Sequence, residues 1–191
     1  MRIITYDLEV AKHIDCKRAG CDCEKLSWGD AGRGKAGLSS LVLYDTATSR
    51  YHIYDDNRTD EMIGHLNEAD LLLGFNNIQF DKPAIEGHTN QRLIPKQFDI
   101  LQTIRSANGG KFVKGYRLGD ICERTLGLEK SGDGALAPDL FQRGHFAELH
   151  DYNLNDVYLT RTLFNFIVEH GFIIGVNGEP LELAGYPTER A

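Results

Sequence analysis

Residues 2–10 read RIITYDLEV, and they constrain the fold more than any other stretch. Ile3, Ile4, Thr5 and Tyr6 carry the β-branched and aromatic character of a buried strand. The run then continues into Asp7 and Glu9, two residues apart. Side chains at i and i+2 of a strand point to one face. Two carboxylates side by side on a strand that otherwise reads as core repel each other and resist desolvation. Either something offsets that cost, or the stretch is not a buried strand.

A length of 191 residues favours one domain, since domains commonly run to about 100–200 residues. The expectation is a single domain over 1–191, with a Cys- and Gly-rich insertion at about 11–37 and a small hairpin at about 172–183. The formal net charge of −7 argues against a general polyanion binder. It leaves room for an acidic site that holds phosphates through its cations. No apolar run approaches the ~20 residues of a membrane span, and no secretory leader is visible. A soluble, cytoplasmic protein with no membrane partner is expected.

LSSLVLYD (38–45) and RYHIYDD (50–56) read as strands joined by a short polar turn. Met62, Ile63 and Leu66 recur at helical spacing, and LLLGF is a short buried strand. DKPAIEG starts a helix, with Asp81 at its N-cap. FDILQTI is a strand or a passage from strand to helix, RLGDICERTLGL is an amphipathic helix, and SGDGALAPDL reads as irregular. The last long helix starts near 148–151 and ends near His170. FIIGVNGEPLEL, with Asn-Gly between two apolar runs, reads as a hairpin. Three strands able to pair antiparallel, followed by alternating helices and strands, predict an α/β domain with a mixed sheet flanked by helices.

Acidic residues stand in three places where apolar ones fit the local pattern. They are Asp7 and Glu9 in TYDLEV, Asp81 just past LLLGF, and Asp156 in YNLNDV. Tyr152 and Asp156 are four apart, on one helix face that Leu159, Leu163 and Phe166 continue. Carboxylates from three elements suit hard divalent cations such as Mg²⁺ or Mn²⁺. A pair of such ions about 3.5–4 Å apart suits in-line displacement at phosphorus. Tyr152 then serves better to orient a water than to deprotonate it, because tyrosine titrates near pH ~10.

Asp-x-Glu, Asn-x₂₋₃-Phe-Asp and Tyr-x₃-Asp, in this order, resemble the three motifs of the DEDD-type 3′–5′ exonucleases in the DEDDy branch. They stand here as Asp7-Leu8-Glu9, Asn77-Ile78-Gln79-Phe80-Asp81 and Tyr152-Asn153-Leu154-Asn155-Asp156. The chain looks most similar to family B DNA polymerase proofreading domains and their stand-alone phage and bacterial relatives. FDILQTI, RLGDICERTLGL with the following Lys130, and DVYLTRTLFNFIVEHG carry that narrower likeness. The resemblance implies a ribonuclease H-like sheet of five strands, three antiparallel and then parallel ones, with the first strand central. It implies two Mg²⁺ or Mn²⁺ ions, Asp7, Glu9 and Asp156 holding one and Asp7 with Asp81 the other. Leu8, Asn76 or Asn77, and Phe80 would shape the pocket for a 3′-terminal nucleotide. The implied substrate is nucleic acid with a free 3′ end, foremost single-stranded DNA, delivered by a replication or helicase partner. RNA as substrate and a catalytically silent binding module stay open as alternatives.

Two features stand outside this scheme. His13, Cys16, Cys21 and Cys23 are ligand types for a tetrahedral Zn²⁺ site, although Cys-x₄-Cys-x-Cys is not a familiar zinc spacing, and free thiols are the plain alternative. Lys111, Lys114 and Arg117, with Arg33 and Lys35, either line a path for a phosphate backbone or are ordinary surface charges.

Overall fold

The computed structural model describes residues 1–17, 24–111, 114–132 and 134–191. Strand β1 (Ile3–Val10) pairs antiparallel with β2 (Leu38–Asp45), and β2 pairs antiparallel with β3 (Arg50–Tyr54). On the other side of β1, β4 (Leu71–Gly74) is parallel to it, and β5 (Lys96–Asp99) is parallel to β4. The order β3-β2-β1-β4-β5 puts β1 in the middle of a mixed five-stranded sheet, as its apolar start demands.

Helices cover both faces. They are α1 (Trp28–Ala31), α2 (Thr59–Asn67), α3 (Asp81–Thr89), α4 (Ile100–Ala107), α5 (Leu118–Leu126), α6 (Ala137–Gln142) and α7 (Phe146–His170). The alternation along β1 sorts its side chains between two cores. Ile4, Tyr6 and Leu8 pack with Met62 and Leu66 of α2 and Ile85 of α3. Ile3 packs on the opposite face with Ile100, Ile121 and Leu163. Thr5, Asp7 and Glu9 share the face of Ile3, and α7 crosses that face, seating Val157 against Val42 and Tyr44 of β2. A short antiparallel hairpin, β6 (Phe172–Ile174) with β7 (Pro180–Glu182), follows α7. No helix of the described residues is long and apolar enough to cross a membrane.

Four details depart from the sequence reading. The stretch 134–142 is not irregular: a 3₁₀ turn (Gly134–Leu136) leads into α6, which Pro138 helps start. Helix α7 begins at Phe146, earlier than 148. Phe166 is not on the buried stripe; it packs beside His170 and Phe172, while Asn153, Thr160 and Ile167 take the buried positions. Asp81 is the first residue of α3 and not its cap, because its carboxylate is engaged across the chain instead.

Candidate active site

The site forms where two strands part. β4 pairs with β1 only along Ile3–Thr5, so the carboxyl ends of the two strands diverge and open a crevice, the usual ligand position in open α/β sheets. Beyond the divergence the Leu8 N–H has no strand partner on that side, and Asp81 Oδ1 accepts it at 2.9 Å. This bond fixes the start of α3 against β1. The intervening loop is held equally firmly. A Cβ on Gly74 would lie 2.6 Å from Asn77 Cβ, so the tight turn out of β4 requires glycine. Asn76 takes a left-handed φ of 66°. Asp99, at the end of β5, accepts the Asn76 and Ile78 N–H groups at 2.9 and 3.2 Å and also caps α4 through Gln102 N–H.

Asp7, Glu9 and Asp156 bring one carboxylate oxygen each within 4.8 Å of the others. They come from adjacent same-face positions of β1 and from the turn of α7 that crosses them. Asp81 stands outside this compact trio but close enough to Asp7 to repel its charge. All four line a cleft of about 910 Å³, together with Leu8, Asn76, Phe80 and Tyr152. Asn77 does not line it. Its side chain is fully buried behind the wall, donating to Gln97 Oε1 at 3.0 Å and Tyr6 Oη at 3.4 Å. Of the possible zinc set, His13 lines the cleft and pairs with Asp139 at 3.0 Å, and Cys16 is a free thiol. Cys21 and Cys23 lie outside the described residues.

No protein-family model and no curated protein matches the chain. Solved structures do match it. One is the structure of the family B DNA polymerase from the hyperthermophilic archaeon Pyrobaculum calidifontis, with a TM-score of 0.63 and 16% identity. The match covers 87% of this chain and 24% of that one, so the chain spans about a quarter of the polymerase. The arrangement is consistent with a ribonuclease H-like fold.

The electrostatics of the site are those of crowded anions. Burial, and then the Asp81, Asp156 and Glu9 carboxylates, push Asp7 well above the usual carboxylate range. Burial raises Asp81 to about 7, against the Leu8 N–H that favours its ionised form. Asp156 is also raised by burial, an effect that Lys130 partly opposes from 2.6 Å away. Burial works against the Lys130 charge as well, but Asp156 outweighs it and keeps the ammonium protonated. Lys130 also sits 4.8 Å over the Tyr152 ring. Burial followed by the Glu9 and Asp156 charges lifts Tyr152 far above its ordinary value, so its hydroxyl keeps its proton. That hydroxyl and Asp156 Oδ1 are both buried without a hydrogen-bond partner among the described residues. Buried polar atoms left this way are uncommon in folded proteins, and here two of them fall at one carboxylate cluster.

The carboxylate oxygens, their raised affinity for protons and the orphaned Asp156 Oδ1 fit one or more divalent cations of the oxygen-preferring kind. Three contributors escaped the sequence reading. Asp99 pins the loop, and the D-x-x-Q spacing at the start of α4 is the cap signal that points to it. Gly132 and Gly134 pass close to Tyr152: a Cβ on Gly134 would stand 3.1 Å from its hydroxyl and 3.9 Å from Glu9 Oε1. No local pattern announces them.

Proposed function

We propose that the chain is a metal-dependent 3′–5′ exonuclease that hydrolyses single-stranded DNA from its 3′ end and releases nucleoside 5′-monophosphates. The observation that carries this reading is the convergence of Asp7, Glu9 and Asp156 at the floor of a cleft that Asp81 borders, in a fold shared with a DNA polymerase chain. Asp7, Glu9 and Asp156 would hold one Mg²⁺ or Mn²⁺, and Asp7 with Asp81 a second. Bound there, the ions supply charge neutralisation for the phosphate and acidify the attacking water.

The protein's own part is positional. Asp7 and Glu9 sit at fixed strand spacing, and the Asp81–Leu8 bond keeps the third element in register with them. Tyr152 holds its proton at every working pH, so it donates a hydrogen bond that orients the water and does not act as a base. Attack forms a P–O bond to that water and breaks the bond to the 3′ oxygen of the preceding nucleotide, which leaves as a hydroxyl. Lys130 pairs with Asp156 Oδ2, which leaves Oδ1 for a cation, and its ammonium would add positive charge beside the carboxylates that hold the ions.

The test uses 5′-labelled single-stranded DNA and RNA with Mg²⁺, Mn²⁺ or chelator, beside Asp7→Ala. A metal-dependent ladder shortening from the 3′ end of DNA, absent in the variant, is expected. Shortening of RNA alone would replace DNA with RNA as the substrate. Both polymers bound but equally intact with wild type and Asp7→Ala would leave a binding module and end the enzymatic reading.

A further inference from the structure

Trp28 is the chain's single tryptophan, and it stands 63% exposed on the wall of the cleft. One exposed apolar side chain is common on protein surfaces, so exposure alone decides nothing. Its setting does. The indole meets the Phe80 ring edge-on, with centroids 5.6 Å apart and planes at 75°. Phe80 immediately precedes Asp81, so this aromatic pair borders the carboxylate site directly.

The backbone under Trp28 is held from several sides. Ser27 and Asp30 form a reciprocal capping box around α1, and Asp30 also binds Arg33 at 2.8 Å and Lys35 at 3.0 Å. The same segment docks on α3 through a glycine contact: a Cβ on Gly87 would come within 2.6 Å of the Arg33 carbonyl carbon. On its other flank, Lys12 N–H donates to Ala36 O at 2.9 Å, and Gln142 donates to Ala11 O at 3.2 Å. A large aromatic face offered to solvent on a fixed backbone has little ordering left to lose on binding. Lys17, Lys114 and Arg117 line the same cleft and match a phosphate backbone in charge. Aromatic faces interleaved with cations are the arrangement by which single strands are held irrespective of sequence.

We infer that Trp28, with Phe80 beside it, is a stacking platform for an unpaired base of the incoming strand. The described residues 24–37 between β1 and β2 then form a nucleic-acid-binding element that favours single strands over duplex. This rests on the reading of the cleft as a nuclease site, and it adds a contact from outside the three acidic motifs. A base inside a duplex has both faces occupied and cannot lie on the indole, which leaves a blunt duplex only the single outer face of each end pair.

Because Trp28 is the sole tryptophan, its emission reports this contact directly. Wild-type protein is titrated with dT₁₀, rU₁₀ and a blunt duplex, with Ca²⁺ replacing Mg²⁺, while anisotropy of a 5′-fluorescein label follows binding independently. Saturable quenching by dT₁₀ or rU₁₀, with little by the duplex, is expected, and the tighter of the two names the preferred sugar. Trp28→Ala weakens binding about tenfold, the size a lost base–aromatic stack gives, whereas Trp28→Phe stays within about threefold. With an abasic oligonucleotide, wild type and Trp28→Ala bind alike. Anisotropy binding without quenching overturns the inference, as does an equal loss for Trp28→Ala on normal and abasic strands. Shortening of strands by a protein whose tryptophan stays unquenched sinks the platform alone. Quenching and the Trp28→Ala loss without any shortening sink the nuclease reading and leave the platform standing.

Discussion

Among the described residues, two groups of side chains have the composition of a metal site, and they have settled their charges in opposite ways. Asp7, Glu9 and Asp156 form one; Asp45, His52 and His65 form the other, also with ligand atoms within 4.8 Å of each other. Asp45 is fully buried, yet its own chain satisfies it. Arg2 donates to both carboxylate oxygens at 3.1 and 2.8 Å, Ala47 N–H adds a bond at 2.9 Å, and His65 Nε2 lies 3.2 Å away. Burial alone would raise the Asp45 carboxyl, but the Arg2 guanidinium outweighs it and brings the group down to about 2. Tyr54 Oη fixes His65 from its other nitrogen at 2.8 Å. In the cleft the balance is reversed. Asp7, Asp81 and Asp156 are pushed up, with Lys130 the cation beside Asp156, and two polar atoms are left without partners among the described residues. A clasp at the end of β1 and β2 and a cluster able to bind a cation are thus told apart by who supplies the counter-charge, not by residue type.

The largest effect should separate the two directly. Asp7→Ala is expected to cut turnover by about 10³-fold or more, because it removes a ligand shared by both proposed ions. Its melting temperature without metal should hold or rise, since a repelled carboxylate is gone. Asp45→Ala should do the opposite. It leaves Arg2, a quarter exposed, with Glu68 as its remaining carboxylate partner, a loss of about 2 kcal/mol and about 4–8 °C in a chain of this size. Turnover below that transition should change less than about threefold. An Asp45 variant that melts normally but is inactive would erase the distinction.

Next in size is Tyr152→Phe. Loss of a water-orienting hydroxyl is expected to lower turnover about 10–100-fold while leaving the metal-induced rise in melting temperature intact. A large loss of metal binding in this variant would make Tyr152 part of the ligand set.

How far each of these regions could be read from the sequence follows from how local its causes are. Asp7 and Glu9 were legible because strand periodicity alone places them on one face, and Asp156 because helical periodicity aims it at the core. The mixed sheet was legible from the order of hydrophobic runs. Asp81 was legible as a helix start, but its bond to Leu8 N–H arises only where β1 and β4 diverge, a feature of strand pairing with no local sequence mark. Asn76 and Asn77 fit the motif spacing equally, and the turn at Gly74 sends one to the cleft and the other into the core. α6 lacks an apolar repeat of its own and forms through its Pro138 start and contact with α7. Nothing in the sequence marks Asp45 as a buried charge, because Arg2 reaches it from 43 residues away.

A smaller effect is expected from pH in the presence of chelator. Asp81 titrates near 7 in the folded chain and near 4 when unfolded, so between these values the native state binds more protons. Stability is then fully present below about pH 4 and is lost as pH rises toward 7, with a slope of at most about 1.4 kcal/mol per pH unit for one such group. Melting should fall by roughly 2–4 °C per unit across that window. Asp81→Asn should flatten the slope. A metal-free protein that grows more stable from pH 5 to pH 7 would show that these carboxylates are not crowded as described.

The smallest expected change is the most discriminating for the comparison itself. Saturating Mn²⁺ at about 100 times its dissociation constant should stabilise the wild type by about 3 kcal/mol through ligand linkage. Asp7→Ala should lose most of that rise. His52→Ala should keep it to within about 1 °C, although the buried His52 Nε2 has no partner among the described residues and its neutral form is favoured by burial and by His65. The reason is Arg2. Any cation approaching Asp45 must displace a guanidinium already bound through two hydrogen bonds, whereas a cation approaching Asp7 relieves a repulsion among carboxylates and competes with Lys130 at Asp156. If His52→Ala instead removed part of the Mn²⁺ response, the clasp would be a second metal site, and a satisfied counter-charge would no longer serve to tell structure from function in this fold.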